Sequence, residues 1–223
     1  MPSPDLEFFF DPACPFCWIT AKWVRVVQAE TDITVRWSYI SLVTLNSPYD
    51  EGSPMREGHW FGRRAHRVIA AAAALHGDEV AGPLYEAIGN ATWEQAGPTG
   101  GWDAVMAQLA TGVDYAAILR ALELDPALAS AVDDDSLDHL FEEGTTEALS
   151  RTGEDVGTPI ITFDPDGESP SSFFGPVISD VPSPAESVTF YRAIEAAAKI
   201  PSFSELKRTK RDAPQLPLLA NLS

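Results

Sequence analysis

Cysteine is scarce in this chain: its 223 residues include two, Cys14 and Cys17. That excludes a scaffold held together by several disulfides. It also argues against a structural zinc site, which would need two more ligands. The four histidines, His59, His66, His76 and His139, show no ligand-like spacing. Positive charge is scarce as well. Lysine and arginine number 15 against 33 acidic residues, a net charge of −18. Such a field makes nucleic acid and anionic membranes poor partners. Its plain consequence is solubility. Long apolar runs are missing too; the stretch 70–75 is far too short to span a bilayer. The start, Met1-Pro2-Ser3-Pro4-Asp5, has neither a basic nor an apolar signal region. The sequence therefore predicts no secretory leader and a cytoplasmic protein. No G-x-G-x-x-G opens a helix after a strand, so no nucleotide or flavin motif is present. There is no internal repeat and no low-complexity segment.

What is present centres on Asp11-Pro12-Ala13-Cys14-Pro15-Phe16-Cys17-Trp18. The apolar run Leu6 to Phe10 precedes it and reads as a strand buried on both faces. After it, Ile19, Trp23, Val26 and Val27 mark one face of a helix running from about Pro15 to Glu30. The C-x-x-C pair thus falls where a strand gives way to the first turn of a helix. Residues three apart share a helix face, so both sulfurs do. The unpaired N–H groups of a helix start favour an anion. The thiolate is the nucleophile in disulfide exchange. Cys14, at the very start, is the expected low-pKa and more exposed thiol, and Cys17, one turn in, the expected resolving thiol. A structural disulfide here would close a tiny loop and stabilise little.

With 45% hydrophobic residues, the chain can fill a sizeable core. Ile33, Val35, Trp37 and Tyr39 alternate with polar residues as a half-buried strand, completing a βαβ unit. Residues 41–58, with Asn46, Pro48, Gly52 and Pro54, read as loop. From Trp60 to about Arg151 the pattern is helical. A first stripe stops at Gly77, and helices follow over 80–93, 102–109 and 115–122. Asp125-Pro126 is a helix start. Asp133-Asp134-Asp135 places acids at the head of the last helix, where the macrodipole favours them. Trp60, Phe61, Trp93 and Trp102 fall on stripes that read as core. Strand signals resume at Ile160 to Phe163, and Phe173-Phe174 begins a hairpin partner. Ser183-Pro184-Ala185-Glu186 is a capping box opening a helix to about Lys199. The tail, with Pro201, Pro214 and Pro217, reads as extended, wrapping or loose. Its basic residues Lys207, Arg208, Lys210 and Arg211 read as solvated.

The order β-α-β, helical insertion, β-β-α is similar to an α/β thioredoxin fold of the DsbA-like kind. Residues 1–55 and 152–223 would form the thioredoxin-fold domain and 56–151 the insertion. The stretches FFFDPACPFCWIT, SLVTLN, GEDVGTP, FFGPVIS and ELKRTK resemble the mycothiol-dependent nitroreductase family, over nearly the whole chain. The resemblance implies that Cys14 attacks and Cys17 resolves. It implies a cis Thr158–Pro159 bond facing the dithiol, and Trp18 and Asn46 bordering the groove. It also implies mycothiol as reducing co-substrate with no bound cofactor, and a small-molecule or disulfide substrate. The Pro-Phe dipeptide stands where these relatives commonly carry Pro-Trp. Alternatives are a DsbA-type protein dithiol oxidase, an isomerase of the same fold, and a non-enzymatic redox-sensing binding protein. The sequence fixes no oligomeric state.

Overall fold

The computed structural model describes residues 3–47 and 55–222. β1 (Leu6–Phe10) is followed by α1 (Pro15–Glu30), β2 (Val35–Tyr39), α2 (Leu42–Leu45) and α3 (Arg56–His76). Next come α4 (Ala81–Trp93), α5 (Gly101–Thr111), α6 (Tyr115–Ala121) and α7 (Asp138–Thr152). β3 (Ile160–Phe163), β4 (Ser171–Phe174) and α8 (Pro184–Ala198) close the series, with short 3-10 turns between some elements.

The sheet order is β2-β1-β3-β4. β1 pairs in parallel with β2, Phe8 opposite Trp37, and antiparallel to β3, Phe8 opposite Ile161. β4 adds antiparallel to β3. β1 is flanked by strands and covered on both faces, so all five of its residues are buried. Its alternation sends Leu6, Phe8 and Phe10 into the main core and Phe9 into a second cluster with Ile40, Ala148 and Ile160. On the main side α1 packs against α8: the Trp23 indole donates to Ser187 O at 3.2 Å and its ring lies 5.4 Å from Phe190. On the other side Arg151 of α7 pairs with the buried Glu7 at 2.7 Å and covers Phe9. This topology is a thioredoxin fold, with the helices α2 to α7 between its second and third strands.

Several local expectations change. Residues 41–58 are not all loop: α2 forms inside them, with Ser41 Oγ accepting from Thr44 N, and α3 has begun by Arg56. One turn is too short to show a hydrophobic period. Pro48, Gly52 and Pro54 lie outside the described residues. Asp125 does cap a helix, but a 3-10 one over Pro126–Asp133. Phe173 and Phe174 end β4 rather than begin it, because the pairing starts at Ser171 opposite Phe163. Trp102 is half exposed rather than core. The capping box at Ser183 and Glu186 is present. The tail wraps: Leu216, Leu218 and Leu219 are buried, and Pro217 O accepts from Gly97 N at 3.1 Å.

Candidate active site

Cys14 is the N-cap residue of α1, in extended backbone (φ −89°, ψ 113°), with Pro15 at the first helical position. An N-cap side chain normally supplies an oxygen to the free N–H groups of the first turn. Here the sulfur does so: Cys14 Sγ accepts from Cys17 N at 3.3 Å. Both cysteines are free thiols. Cys14 is 6% exposed and Cys17 fully buried.

The two sulfurs are driven in opposite directions. The Cys17 thiol hydrogen-bonds to Cys14 and is the largest influence pulling the Cys14 pKa down. Burial opposes it, and Thr158 and the Cys17 N–H reinforce it. For Cys17 burial is the largest influence and pushes its thiol well up, with the bond to Cys14 adding to it.

The residues just before β3 complete the dithiol's wall. The Thr158–Pro159 peptide is cis, and the Cys14 thiol lies 3.9 Å from Thr158 O. Thr158 Oγ1 is buried and has no hydrogen-bond partner in the protein, yet it acts on both sulfurs in favour of their thiolate forms. Gly175 N donates back to Pro159 O at 2.8 Å, anchoring this bend to the start of the chain after β4.

Trp18 and Asn46 are placed differently from the expected groove. Trp18 is 1% exposed. Its ring packs edge-on to Tyr85 at 5.8 Å, and its indole donates to Glu94 at 2.8 Å. Being one residue past Cys17 on α1, it points into the core between α1 and α4. Asn46 ends α2 and turns its amide back onto Leu42 O at 2.9 Å. The dithiol is instead brought together with Thr158, Pro159 and Asp11, for which the motif spacing predicts no role.

Asp11 is fully buried beneath the dithiol loop. Its oxygens accept from Ala13 N and Leu42 N, both at 2.7 Å, tying that loop to the head of α2. Burial pushes its pKa up to about 6, against the pull of those two N–H groups and the charges of His59 and Arg63. Its negative charge opposes the Cys14 thiolate. The available signal was an acid directly after three phenylalanines, where a strand buried on both faces ends. Trp93, at the end of α4, donates to Pro12 O at 3.0 Å. Gly62 of α3 lets that helix lie against Asp11 and Ala13, where a Cβ would overlap both. The described residues hold no cluster suited to a metal ion, and no helix among them is long and apolar enough to cross a membrane.

A sequence model of the family described as mycothiol-dependent nitroreductase Rv2466c matches residues 13–208. An uncharacterized protein of Mycobacterium tuberculosis (strain ATCC 25618 / H37Rv), Rv2286c, is 29% identical over 209 residues, 93% of this chain and 83% of that protein. Among solved structures, the chain is similar to the cytosolic disulfide reductase DsbM from Pseudomonas aeruginosa, with a TM-score of 0.53 and 16% identity, covering 86% of this chain and 98% of that one. It is also similar to 2-hydroxychromene-2-carboxylate isomerase, with a TM-score of 0.54 and 13% identity, covering 87% and 96%. At these identities the solved structures speak for the fold, whereas the family match takes in the dithiol, the Thr158–Pro159 bend and the helices between them. The chain belongs to the mycothiol-dependent nitroreductase Rv2466c family and is an oxidoreductase of thiol-dependent chemistry.

Proposed function

We propose that this chain is a cytoplasmic reductase that delivers two electrons from the Cys14/Cys17 dithiol and is recharged by a low-molecular-weight thiol, mycothiol. The observation that carries the reading is the asymmetry of the pair: one sulfur caps the helix and is pulled toward thiolate, the other is buried and held as thiol.

With a disulfide substrate, the Cys14 thiolate attacks one sulfur and the other leaves as a thiolate. Cys17 then attacks Cys14 Sγ, the second thiolate leaves, and an internal disulfide remains. Two electrons and two protons have passed to the substrate. With a nitroaromatic substrate the same two electrons and two protons convert a nitro group to a nitroso group and water. Recharging takes two small thiols: the first opens the internal disulfide at Cys14, the second releases it as the oxidised small-thiol disulfide. Thr158 and Pro159 flank the approach to Cys14 throughout. Trp18 and Asn46 act from behind it, as core and helix end.

The test is reduction of the purified disulfide form with mycothiol, glutathione or thioredoxin supplied separately, scored as free thiols. Fast reduction selective for mycothiol is expected. Reduction by thioredoxin alone would overturn the small-thiol reading in favour of a DsbA-type oxidant acting on proteins. Within the scheme, Cys14→Ser abolishes turnover and Cys17→Ser accumulates a mixed disulfide; full multi-turnover activity in Cys17→Ser would make the mechanism monothiol.

A further inference from the structure

A cavity of about 390 Å³ opens in the helical insertion, between α3, the turn joining α5 to α6, and the 3-10 helix Pro126–Asp133. None of the residues around it is one that encloses the dithiol. Two of them, Arg64 and Tyr115, each bury a polar atom with no hydrogen-bond partner in the protein: the Tyr115 hydroxyl and Arg64 Nη2. The sequence builds this wall at a glycine. Gly112 takes a φ of 71°, and the chain folds back with Gly112 N donating to Leu109 O at 3.0 Å and Tyr115 N donating to Val113 O at 2.9 Å. A Cβ at Gly112 would meet only the Tyr115 ring, at 3.9 Å.

An unpartnered polar atom in a buried wall costs free energy. Both of these groups are donors. A guanidinium only donates. Tyr115 is 9% exposed, and burial pushes its pKa up, so the phenol keeps its proton. Arg64 is the charge that acts on that phenol, so the two donors stand together. The Arg64 side chain is a third exposed and loosely held: its Nε donates to Trp60 O at 3.3 Å, and Glu57 pairs with it at 3.9 Å. It can therefore turn onto a ligand. Two adjacent donors, one of them charged, call for an anionic oxygen pair, where hydrogen bonds are strongest. Asp114 and Asp133 also line the cavity. Asp114 is engaged in capping Ala117 N at 2.9 Å, and Asp133 acts on Arg67. Two carboxylates there disfavour a multiply charged anion such as phosphate. Val113, Ala116, Ala129 and Val132 supply an apolar lining, in a volume that suits a small organic molecule.

We propose that this cavity is a second ligand site, for a small monocarboxylic acid with an apolar body, its carboxylate accepting from Arg64 and the Tyr115 hydroxyl and its body lying against the valines and alanines. The site is separate from the dithiol and does not depend on the redox reading above.

The test titrates benzoate, acetate and inorganic phosphate into the reduced full chain by calorimetry. Benzoate is expected to bind once per chain and more tightly than acetate, which has the head group without the body. Phosphate is expected not to bind. Tyr115→Phe keeps the ring and removes one oxygen. It should weaken benzoate about tenfold or more, the range of a hydrogen bond to a charged group, and Arg64→Met should weaken it at least as much. Urea midpoints establish that each variant is folded; if Arg64→Met is not, Tyr115→Phe decides alone. No benzoate binding to the parent chain, binding of equal strength in a folded variant, or phosphate binding as tightly as benzoate each overturns the assignment. So does single-site binding that protects Cys14 from iodoacetamide, because it places benzoate at the dithiol.

Discussion

The Cys17 N–H and thiol both converge on Cys14 Sγ, which sets a simple chemical expectation. Iodoacetamide should modify Cys14 at a lower pH than a free cysteine and leave Cys17 intact, a contrast readable by peptide mass mapping across pH. Asp11→Asn removes a charge that opposes the Cys14 thiolate, so its alkylation profile should move further down in pH. A profile that stays put would detach Asp11 from the dithiol electrostatically. Asp11 also marks stability. Its pKa rises from 3.8 to about 6 on folding, so the folded state binds this proton more tightly. The contribution is favourable at low pH and is lost as pH rises through that window, by roughly 3 kcal/mol at full effect. His66 works in the other sense. It is buried, with Nε2 3.0 Å from Phe10 O and its ring stacked on Phe141, and burial drives its pKa from 6.5 down to about 3. Unfolded His66 takes a proton that the folded residue refuses, so stability falls as pH drops from 6.5 toward 3. Between pH 3.8 and 6 the two effects oppose each other, so Asp11→Asn should make urea midpoints fall more steeply as pH drops, and His66→Gln should leave midpoints that fall as pH rises. Identical slopes in all three proteins would contradict both assignments.

Helices α3 and α4 enclose the dithiol loop from behind, and close approach is what makes this possible. Gly62 has no side chain where a Cβ would overlap Asp11 and Ala13. Gly62→Ala should push α3 away from the loop, cost about 1–3 kcal/mol as overpacking does, and reduce turnover together with thermal stability. Gly153→Ala is the useful contrast, since nothing lies near its Cβ and only its positive φ of 94° is strained. It should lose stability while turnover at a permissive temperature is kept. The same helices show where reading the sequence succeeds and where it stops. β1 and α1 were legible to the residue, because the run Leu6, Phe8, Phe9 and Phe10 and a 3.6-residue stripe beside Pro15 are local signals. Cys14 and Cys17 were legible for the same reason. Trp93 and Glu94 were not, because they reach Pro12 and Trp18 from 81 and 76 residues away. Trp18 was misplaced for a related reason. Its helical position is clear from sequence, but whether that face meets a groove or α4 depends on Gly89, which leaves room for the indole ring.

Across the whole molecule, the described acidic residues lie mostly at the surface, and several cations are paired with them, as Arg67 is with Asp138 at 2.8 and 2.9 Å. The tail is divided. Residues 204–213 are exposed, while Leu216, Leu218 and Leu219 are buried, and Asn221 donates to Gly97 O at 2.8 Å. The final leucines therefore belong to the helical layer. Leu218→Ala should cost about 2–5 kcal/mol, measured as a shifted urea midpoint, whereas Lys207→Ala in the exposed stretch should cost nothing measurable. A Leu218→Ala protein as stable as the parent would mean the tail is only laid against the surface. β1 carries a different kind of consequence. It is an inner strand of the sheet, yet one of its two hydrogen-bonded neighbours, β3, is encoded roughly 150 residues downstream, an interval of about 10–30 s at ordinary translation speeds. For that time a newly made chain holds three consecutive phenylalanines and its only two thiols beside an unfilled edge. The nucleophile is thus synthesised long before the wall that encloses it, and the emerging polypeptide depends on its surroundings to keep those sulfurs reduced.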